Sequence, residues 1–272
     1  MLASYFLSLR EGVEAALILG ILFSALRKVG HSELIRVMWA GAGIALAVSI
    51  SVAVLLNLLG AELYGTGEAI FEGVTMLAAA GLLTGMIFWM QRQSKELQGN
   101  LEVKISQAAG KEGRLAIFMV AFLAVVREGV ELAFYLLAAR LATNPIETLV
   151  GSVLGLWCAA LLGWMLLATT RRLSMQLFFR ITNVLLLFFA AGLVGLGVHA
   201  FNEAGLIPAL VDPLWNLNNF LPESSVFGQA LRSLFGYTAA PSLSSMAAYT
   251  VYLAALAVIL FRPRPQTLQK RS

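Results

Sequence analysis

A five-residue sequence rich in charge is repeated inside two long apolar stretches of this 272-residue chain. Arg-Glu-Gly-Val-Glu occurs at residues 10–14, the first motif, and again at residues 127–131, the second motif. A charged side chain at the middle of a bilayer costs about 2.5 to 3.5 kcal/mol on insertion scales, so six of them require one another or water as neighbours. The repeat therefore predicts one polar site that is built from two copies.

The composition places the chain among membrane proteins. It is 59% hydrophobic and 12% charged, which is too apolar for a soluble domain. A helix needs about 20 apolar residues to cross a bilayer, and seven stretches qualify: 2–26, 35–59, 69–91, 115–139, 146–169, 178–201 and 244–261. We therefore predict an all-α, polytopic membrane protein whose seven transmembrane helices form a single domain over residues 1–272.

The positions of the basic residues predict how the chain is oriented. Most of the 19 lysines and arginines follow the first, third, fifth and seventh spans, whereas Arg140 and Arg232 lie on the opposite side. The positive-inside rule then places the N-terminus outside and the C-terminus in the cytoplasm. Because orientation explains the basic excess, the expected surroundings are membrane lipid, and nucleic acid is not expected as a partner.

The two motifs divide the seven spans into three, three and one. Three is an odd number, so the second triplet enters the bilayer from the opposite side, as in inverted-repeat transporters. We predict a first repeat at residues 1–92, a second at 114–203, an outer segment at 204–243 and a seventh helix at 244–262. The outer segment is expected to cap the outer mouth or to lie as an interfacial surface loop, and residues 92–113 are expected to form a partly helical cytoplasmic loop.

Each motif places its charged side chains on one side of a helix, because positions one and five are a turn apart. Arg10 and Arg127 act as organisers, since a planar guanidinium group can hold a carboxylate in a fixed orientation. The four carboxylates outnumber the two guanidinium groups and leave a net charge that a bound cation would balance. They belong to Glu11, Glu14, Glu128 and Glu131. Oxygen ligands favour a hard cation. The alternative to a cation site is that each motif forms a purely structural salt bridge.

Further acidic residues suggest a path from the outer side. Glu68 and Glu72 are a turn apart at the start of the third span, and Glu203 ends the sixth span with His199 one turn before it. They are candidates to gather a cation before it reaches the motifs, with His199 as an added ligand or a proton acceptor. The alternative is that they are ordinary interfacial residues.

Small residues recur where transmembrane helices would have to approach closely. Gly12 and Gly129 lie beside the charged side chains, so each is expected to admit either a partner helix or a bare ion. Spacings of four residues predict packing faces in the third and fifth spans, at Gly81 and Gly85 and at Gly151 and Gly155.

The doubled motif in a seven-helix chain resembles the oxidase-dependent iron permeases, especially their bacterial EfeU-type branch. The likeness covers nearly the whole chain. It includes Phe-Glu-Gly at 71–73, Phe-Trp-Met at 88–90, Ala-Ala-Gly at 190–192, residues 201–206, Phe-Gly-Tyr at 235–237 and Ala-Pro-Ser at 240–242. Asn202 is a departure, because bacterial relatives can carry histidine beside the glutamate at the end of this span.

The resemblance implies uptake of ferrous or ferric iron across the bacterial cytoplasmic membrane, with Glu11, Glu14, Glu128 and Glu131 as iron ligands. Iron is then the transported substrate, and no prosthetic group is expected. In the bacterial branch the implied partners are a periplasmic iron-binding protein and a haem peroxidase, and in the fungal branch a multicopper oxidase. Alternatives are transport of manganese or lead, and an intramembrane enzyme that uses a glutamate pair as general acid and base.

Overall fold

A computed structural model describes residues 1–93, 111–168 and 175–261 of the chain. In these ranges the chain forms helices and no strand. The helices are α1 (Leu2–Lys28), α2 (Glu33–Ala61), α3 (Thr66–Gln93), α4 (Lys111–Ala142), α5 (Pro145–Ala168), α6 (Met175–Glu203), α7 (Val226–Phe235) and α8 (Leu243–Phe261). The all-α prediction is thus confirmed for the described residues. Most of the polar connection predicted at 92–113 lies outside them.

Seven of these helices, α1 to α6 and α8, lie where the sequence predicts membrane spans. Four are long and apolar enough to cross a bilayer by length and composition: Glu33–Gly60, Thr66–Phe88, Pro145–Met165 and Leu177–Glu203. The chain is therefore consistent with a polytopic membrane protein. Helix α8 contributes a shorter apolar stretch, Leu243–Ile259.

The two motif helices are long enough to span but carry more charge. Helix α1 has 27 residues and α4 has 32, which correspond to about 40 and 48 Å. Each contains three charged motif residues, so its most apolar segment is interrupted. The number of spans and the orientation of the chain stay predictions.

The helices pack in an exchanged pattern. The most extensive contacts join α1 to α5 and α2 to α4, so each motif helix packs mainly on the second helix of the other predicted triplet. The third helices of the triplets, α3 and α6, pack on each other, and α1 also contacts α4. Helix α8 is added on the outside of α6.

Glycines of α5 allow the close approach of α1. A Cβ atom added at Gly155 would lie 2.9 Å from the backbone nitrogen of Leu9 and 2.9 Å from Cβ of Ser8, and one at Gly151 would overlap the carbonyl oxygen of Met1. The packing face predicted at these two residues therefore lies between α1 and α5. By contrast, a Cβ atom at Gly81 or Gly85 would meet no described atom within 4 Å, so the packing predicted for that pair does not occur inside the described part of the chain.

Polar contacts show which helix termini lie at the same end of the bundle. At the end predicted to be outer, the amino group of Met1 lies 3.3 Å from Oε2 of Glu147, and Arg140 donates a hydrogen bond to Asn57. At the opposite end, Arg114 lies 3.7 Å from Glu33. The starts of α1 and α5 thus lie at the same end as the ends of α2 and α4. This is the arrangement expected if successive helices run in opposite directions through the bundle.

The segment between α6 and α8 packs back onto the bundle. Helix α7 contacts α1, α4 and α6. Gly236, with a φ of 66° that glycine readily adopts, caps its C-terminal end, and this residue closely approaches Gly192 of α6. The rings of Phe235 and Phe188 are 5.3 Å apart, and Phe188 lies about 22 Å along α6 from its end at Glu203. The segment therefore packs along the side of α6, and its predicted role as a cap over the outer mouth or as an interfacial loop stays a prediction.

Arg232 and Glu223 attach this segment to the second motif helix. Arg232 pairs with Glu223 and donates from Nε to the carbonyl oxygen of Ala142 at 3.0 Å, at the end of α4. Glu223 in turn accepts a 2.7 Å hydrogen bond from the backbone of Ala239. Arg140 and Arg232, the two arginines predicted on the outer side, are thus both bound to protein groups.

A matched pair of glycine substitutions tests the α1–α5 contact. Gly155→Ala should lower the free energy of unfolding by about 1 to 3 kcal/mol, because the new methyl group meets the α1 backbone. Gly85→Ala adds the same methyl group in open space and should be neutral or stabilising, since alanine favours helix. Thermal unfolding of the purified protein in detergent measures both. Equal destabilisation by the two substitutions would contradict this packing.

Candidate metal centre

Within each motif the arginine is paired with the glutamate one turn later. Nε of Arg10 lies 3.2 Å from Oε1 of Glu14, and Nε of Arg127 lies 3.0 Å from Oε1 of Glu131. Nη1 of Arg10 also lies 3.7 Å from Oε1 of Glu11. These i,i+4 pairs follow directly from helical spacing.

Packing of α1 against α4 brings carboxylates of both motifs together. Glu11, Glu128 and Glu131, which we call the central acidic group, each offer an oxygen atom, and these atoms lie within 4.8 Å of one another. The sequence predicts one site with four glutamates, and the structure brings these three together. Glu14 lies outside the group, against Arg10.

The two motifs differ in burial. The side chain of Arg10 is 0% exposed, whereas that of its equivalent, Arg127, is 37% exposed. The equivalent glutamates differ little, since Glu14 is 11% and Glu131 16% exposed. The asymmetry is therefore that the arginine of the first motif is sealed inside the bundle, whereas the arginine of the second keeps partial access to the surroundings. The two copies of the sequence are therefore not equivalent in the fold.

Several carboxylate oxygens of the group lack a protein hydrogen bond. Both oxygens of Glu11 and Oε2 of Glu128 are buried with no hydrogen-bond partner among the described residues. A buried charge in this condition is costly, and carboxylates less than 5 Å apart also repel one another. A cation held between them would supply ligand bonds and remove the repulsion.

Two members of the central acidic group, Glu11 and Glu128, border a cavity of about 250 Å³ between α1, α2, α4 and α5. Apart from Glu11, Glu128 and Ser49, the lining residues are glycine or apolar. Electrostatic attraction is stronger where few polarisable groups or waters are present, so these walls would strengthen the attraction between the carboxylates and a cation.

Both motif glycines face a partner helix. A Cβ atom at Gly12 would lie 2.6 Å from Cβ of Ala159 on α5, and one at Gly129 would overlap Ser49 on α2. Of the two roles predicted for these glycines, the structure supports close helix packing. This packing sets how α1 and α4 are rotated and hence where their glutamates point.

The acidic residues predicted on the outer side lie at the ends of α3 and α6. A Cβ atom at Gly73 would lie 3.0 Å from the carbonyl oxygen of Gly197, which shows how closely these helices approach. Glu72 is half-buried within electrostatic range of Glu68 and Glu203, and both of these are exposed. They do not join the central acidic group, and within the described ranges they form no comparable cluster.

His199 and Asn202 occupy the same end of α6. Nε2 of His199 lies 3.6 Å from Oε1 of Glu203. The side-chain amide of Asn202 lies 2.7 Å from Oγ of Ser242 and 2.9 Å from Oγ of Ser244. Asn202 therefore ties α6 to the start of α8.

The sequence analysis missed Tyr135. This residue is fully buried, and its hydroxyl donates to Oε2 of Glu131 at 3.3 Å. A usable signal was present, because Tyr135 follows Glu131 by four residues and therefore lies on the same face of α4.

The fold and this site define a class: helical membrane proteins with clustered buried carboxylates between their spans. The chain belongs to the iron permease FTR1 family, whose model matches residues 1–265. It is 35% identical over 275 residues to proteins named ferrous iron permease EfeU from Escherichia coli O6:K15:H31 (strain 536) and Shigella sonnei, covering 100% of this chain and of the E. coli protein.

A Yersinia pestis protein of the same name is 33% identical over 269 residues, covering 98% of this chain and 95% of that protein. The family resemblance seen in the motifs is thus confirmed. These relatives are named as permeases and not as enzymes, which agrees with the predicted transporter class. No solved structure matches the chain.

Removal of each motif arginine tests the difference in burial. Arg10→Met should lower the free energy of unfolding by roughly 3 to 5 kcal/mol, because it leaves Glu11 and Glu14 buried without their cation. Arg127→Met should cost clearly less, since that side chain is 37% exposed. Chemical or thermal unfolding in detergent gives the comparison, and an equal or reversed order would contradict the asymmetry of the two motifs.

Proposed function

We propose that this protein imports iron across the bacterial cytoplasmic membrane and that the central acidic group binds the ion on its way through the bilayer. The observation that carries the proposal is the convergence of Glu11, Glu128 and Glu131 between the two motif helices, with oxygens within 4.8 Å of one another. Membership of the iron permease family supports iron as the cargo.

Ferrous iron fits the charge of the site. Two arginines and four glutamates in the motifs give a net charge of −2, which one divalent ion balances. Carboxylate oxygens suit a hard or borderline divalent cation, and the relatives named above are described as ferrous iron permeases. Glu14 would join when the ion moves, because it lies on the same face of α1 one turn from Glu11.

The exchanged packing supports a two-triplet architecture for this transporter. Pairing of α1 with α5 and of α4 with α2 is the pattern expected if the two triplets are related by a pseudo-twofold axis. In inverted-repeat transporters of that kind, the binding site lies between the repeats near the bilayer midplane. We propose that α1–α3 and α4–α6 are such repeats, with seven spans in all and an outer N-terminus.

An ion would enter from the outer side past Glu68, Glu72 and Glu203, with His199 beside them. The membrane potential assists inward movement by about 2.3 kcal/mol per charge per 100 mV, hence about 5 kcal/mol for a divalent ion. A periplasmic iron-binding protein and a haem peroxidase, or a multicopper oxidase, are the partners that we propose for delivery, on the ground of the family resemblance alone.

Substitution of single ligands tests the proposed site. Glu11→Gln and Glu131→Gln keep side-chain size but remove a charge and a metal-binding oxygen. Each should lower iron(II) uptake into proteoliposomes by at least about tenfold, because loss of even a group that only hydrogen-bonds to a metal ligand commonly lowers metal affinity or activity 10- to 100-fold. Glu147→Gln is the control, because that side chain pairs with the amino group of Met1 at the end of the bundle. Unchanged uptake in both ligand variants would refute the assignment.

Competition among metals tests the identity of the cargo. With oxygen ligands alone, iron(II) should bind more tightly than manganese(II), following the usual order of divalent affinities. Excess manganese(II) should therefore inhibit iron(II) uptake weakly. Lead(II) belongs in the same assay, and stronger inhibition by manganese or lead than by unlabelled iron(II) would favour one of those metals as substrate.

A further inference from the structure

Tyr135 lies one helical turn after the second motif and touches its last glutamate. We propose that Tyr135 is a positioning residue that fixes the carboxylate of Glu131 in the orientation in which it joins Glu11 and Glu128. This inference rests on the proposed function, since the group that it orders is the proposed iron site. It extends that site by a residue that binds no metal itself.

Both oxygens of Glu131 are held, and from opposite directions along α4. Nε of Arg127, one turn before, lies 3.0 Å from Oε1, and the hydroxyl of Tyr135, one turn after, donates to Oε2 at 3.3 Å. The terminal torsion of a glutamate side chain is normally broad. Contacts at both oxygens restrict it, so this carboxylate is pre-oriented before an ion arrives.

The first motif lacks the equivalent group. Its last glutamate is Glu14, and the residue four positions later is Ile18, which has no polar atom to offer. Arg10 approaches Glu14 at Oε1, as Arg127 approaches Glu131. Of the two last glutamates, Glu14 and Glu131, only Glu131, which is followed four residues later by a tyrosine, belongs to the central acidic group. The last glutamate thus joins the group in the motif that is followed by Tyr135 and not in the motif that is followed by Ile18.

The ring of Tyr135 is itself fixed. It belongs to the largest hydrophobic cluster, with buried residues that include Leu7 of α1, Leu83 of α3 and Leu186 of α6. Among the described residues, the second hydrogen-bond acceptor of this hydroxyl is Sδ of Met86, at 4.0 Å. A thioether is a weak acceptor compared with a carboxylate, so the hydroxyl is directed to Glu131.

Tyr135→Phe removes the hydroxyl and keeps the ring, so it separates positioning from packing. We expect the KM for iron(II) in proteoliposomes to rise by about tenfold, because hydrogen bonds to charged groups contribute to binding on that scale, while the maximal rate and the unfolding temperature change little. Met86→Leu preserves volume and leaves the bond to Glu131 intact, so its KM should stay at the wild-type value.

Tyr252→Phe is the matched control. Tyr252 is a partly buried tyrosine whose hydroxyl is also hydrogen-bonded, but its partner is Thr84, and the pair joins α3 to α8. This substitution should leave the KM unchanged. An unchanged KM in Tyr135→Phe, or an equal increase in Tyr135→Phe and Tyr252→Phe, would overturn the positioning role.

Glu131→Gln, measured in the same assay, separates the inference from the function on which it rests. If Glu131→Gln abolishes uptake while Tyr135→Phe behaves as wild type, the positioning role is wrong and the iron site stands. If Glu131→Gln transports iron normally, the ligand assignment fails and the positioning role fails with it. An increase in KM for Tyr135→Phe together with loss of uptake in Glu131→Gln supports both.

Discussion

The cost of placing charge inside a nonpolar bundle governs the arrangement of this protein. Glu11 and Arg10 are almost completely removed from solvent, at 1% and 0% exposure, in a setting where each isolated charge would be strongly destabilising. Helical spacing pairs the arginine of each motif with one glutamate, but each motif contains a second glutamate, so negative charge is in excess. With all four carboxylates ionised, the two motifs together carry a net charge of −2, which the iron ion proposed as cargo would balance.

Much of this arrangement follows from local rules, and the sequence is sufficient to predict it. Hydrophobic length predicts where α1 to α6 and α8 lie, and the i,i+4 spacing predicts the pairs of Arg10 with Glu14 and of Arg127 with Glu131. The family is recognisable from the doubled motif. These features depend on residues within one helix, or on a pattern that extends along the whole chain.

Features that depend on how two helices are rotated against each other were not predictable. Spacing does not distinguish Glu14 from Glu131, yet one lies outside the central acidic group and the other inside it. Contacts of Gly12 with Ala159 and of Gly129 with Ser49 set those rotations. The same limit explains Gly81 and Gly85, whose spacing resembles a packing face although no described residue covers them.

The exchanged pairing of helices also bears on how the protein is made. Helix α1 is synthesised before its main partner, α5, which follows more than a hundred residues later. If α1 spans the membrane as proposed, it enters the bilayer with its arginine and glutamates before the surface that covers them exists. Insertion and packing would then be separate stages in the biogenesis of this protein, and the nascent first half would depend on temporary shielding by lipid headgroups, water or the insertion machinery.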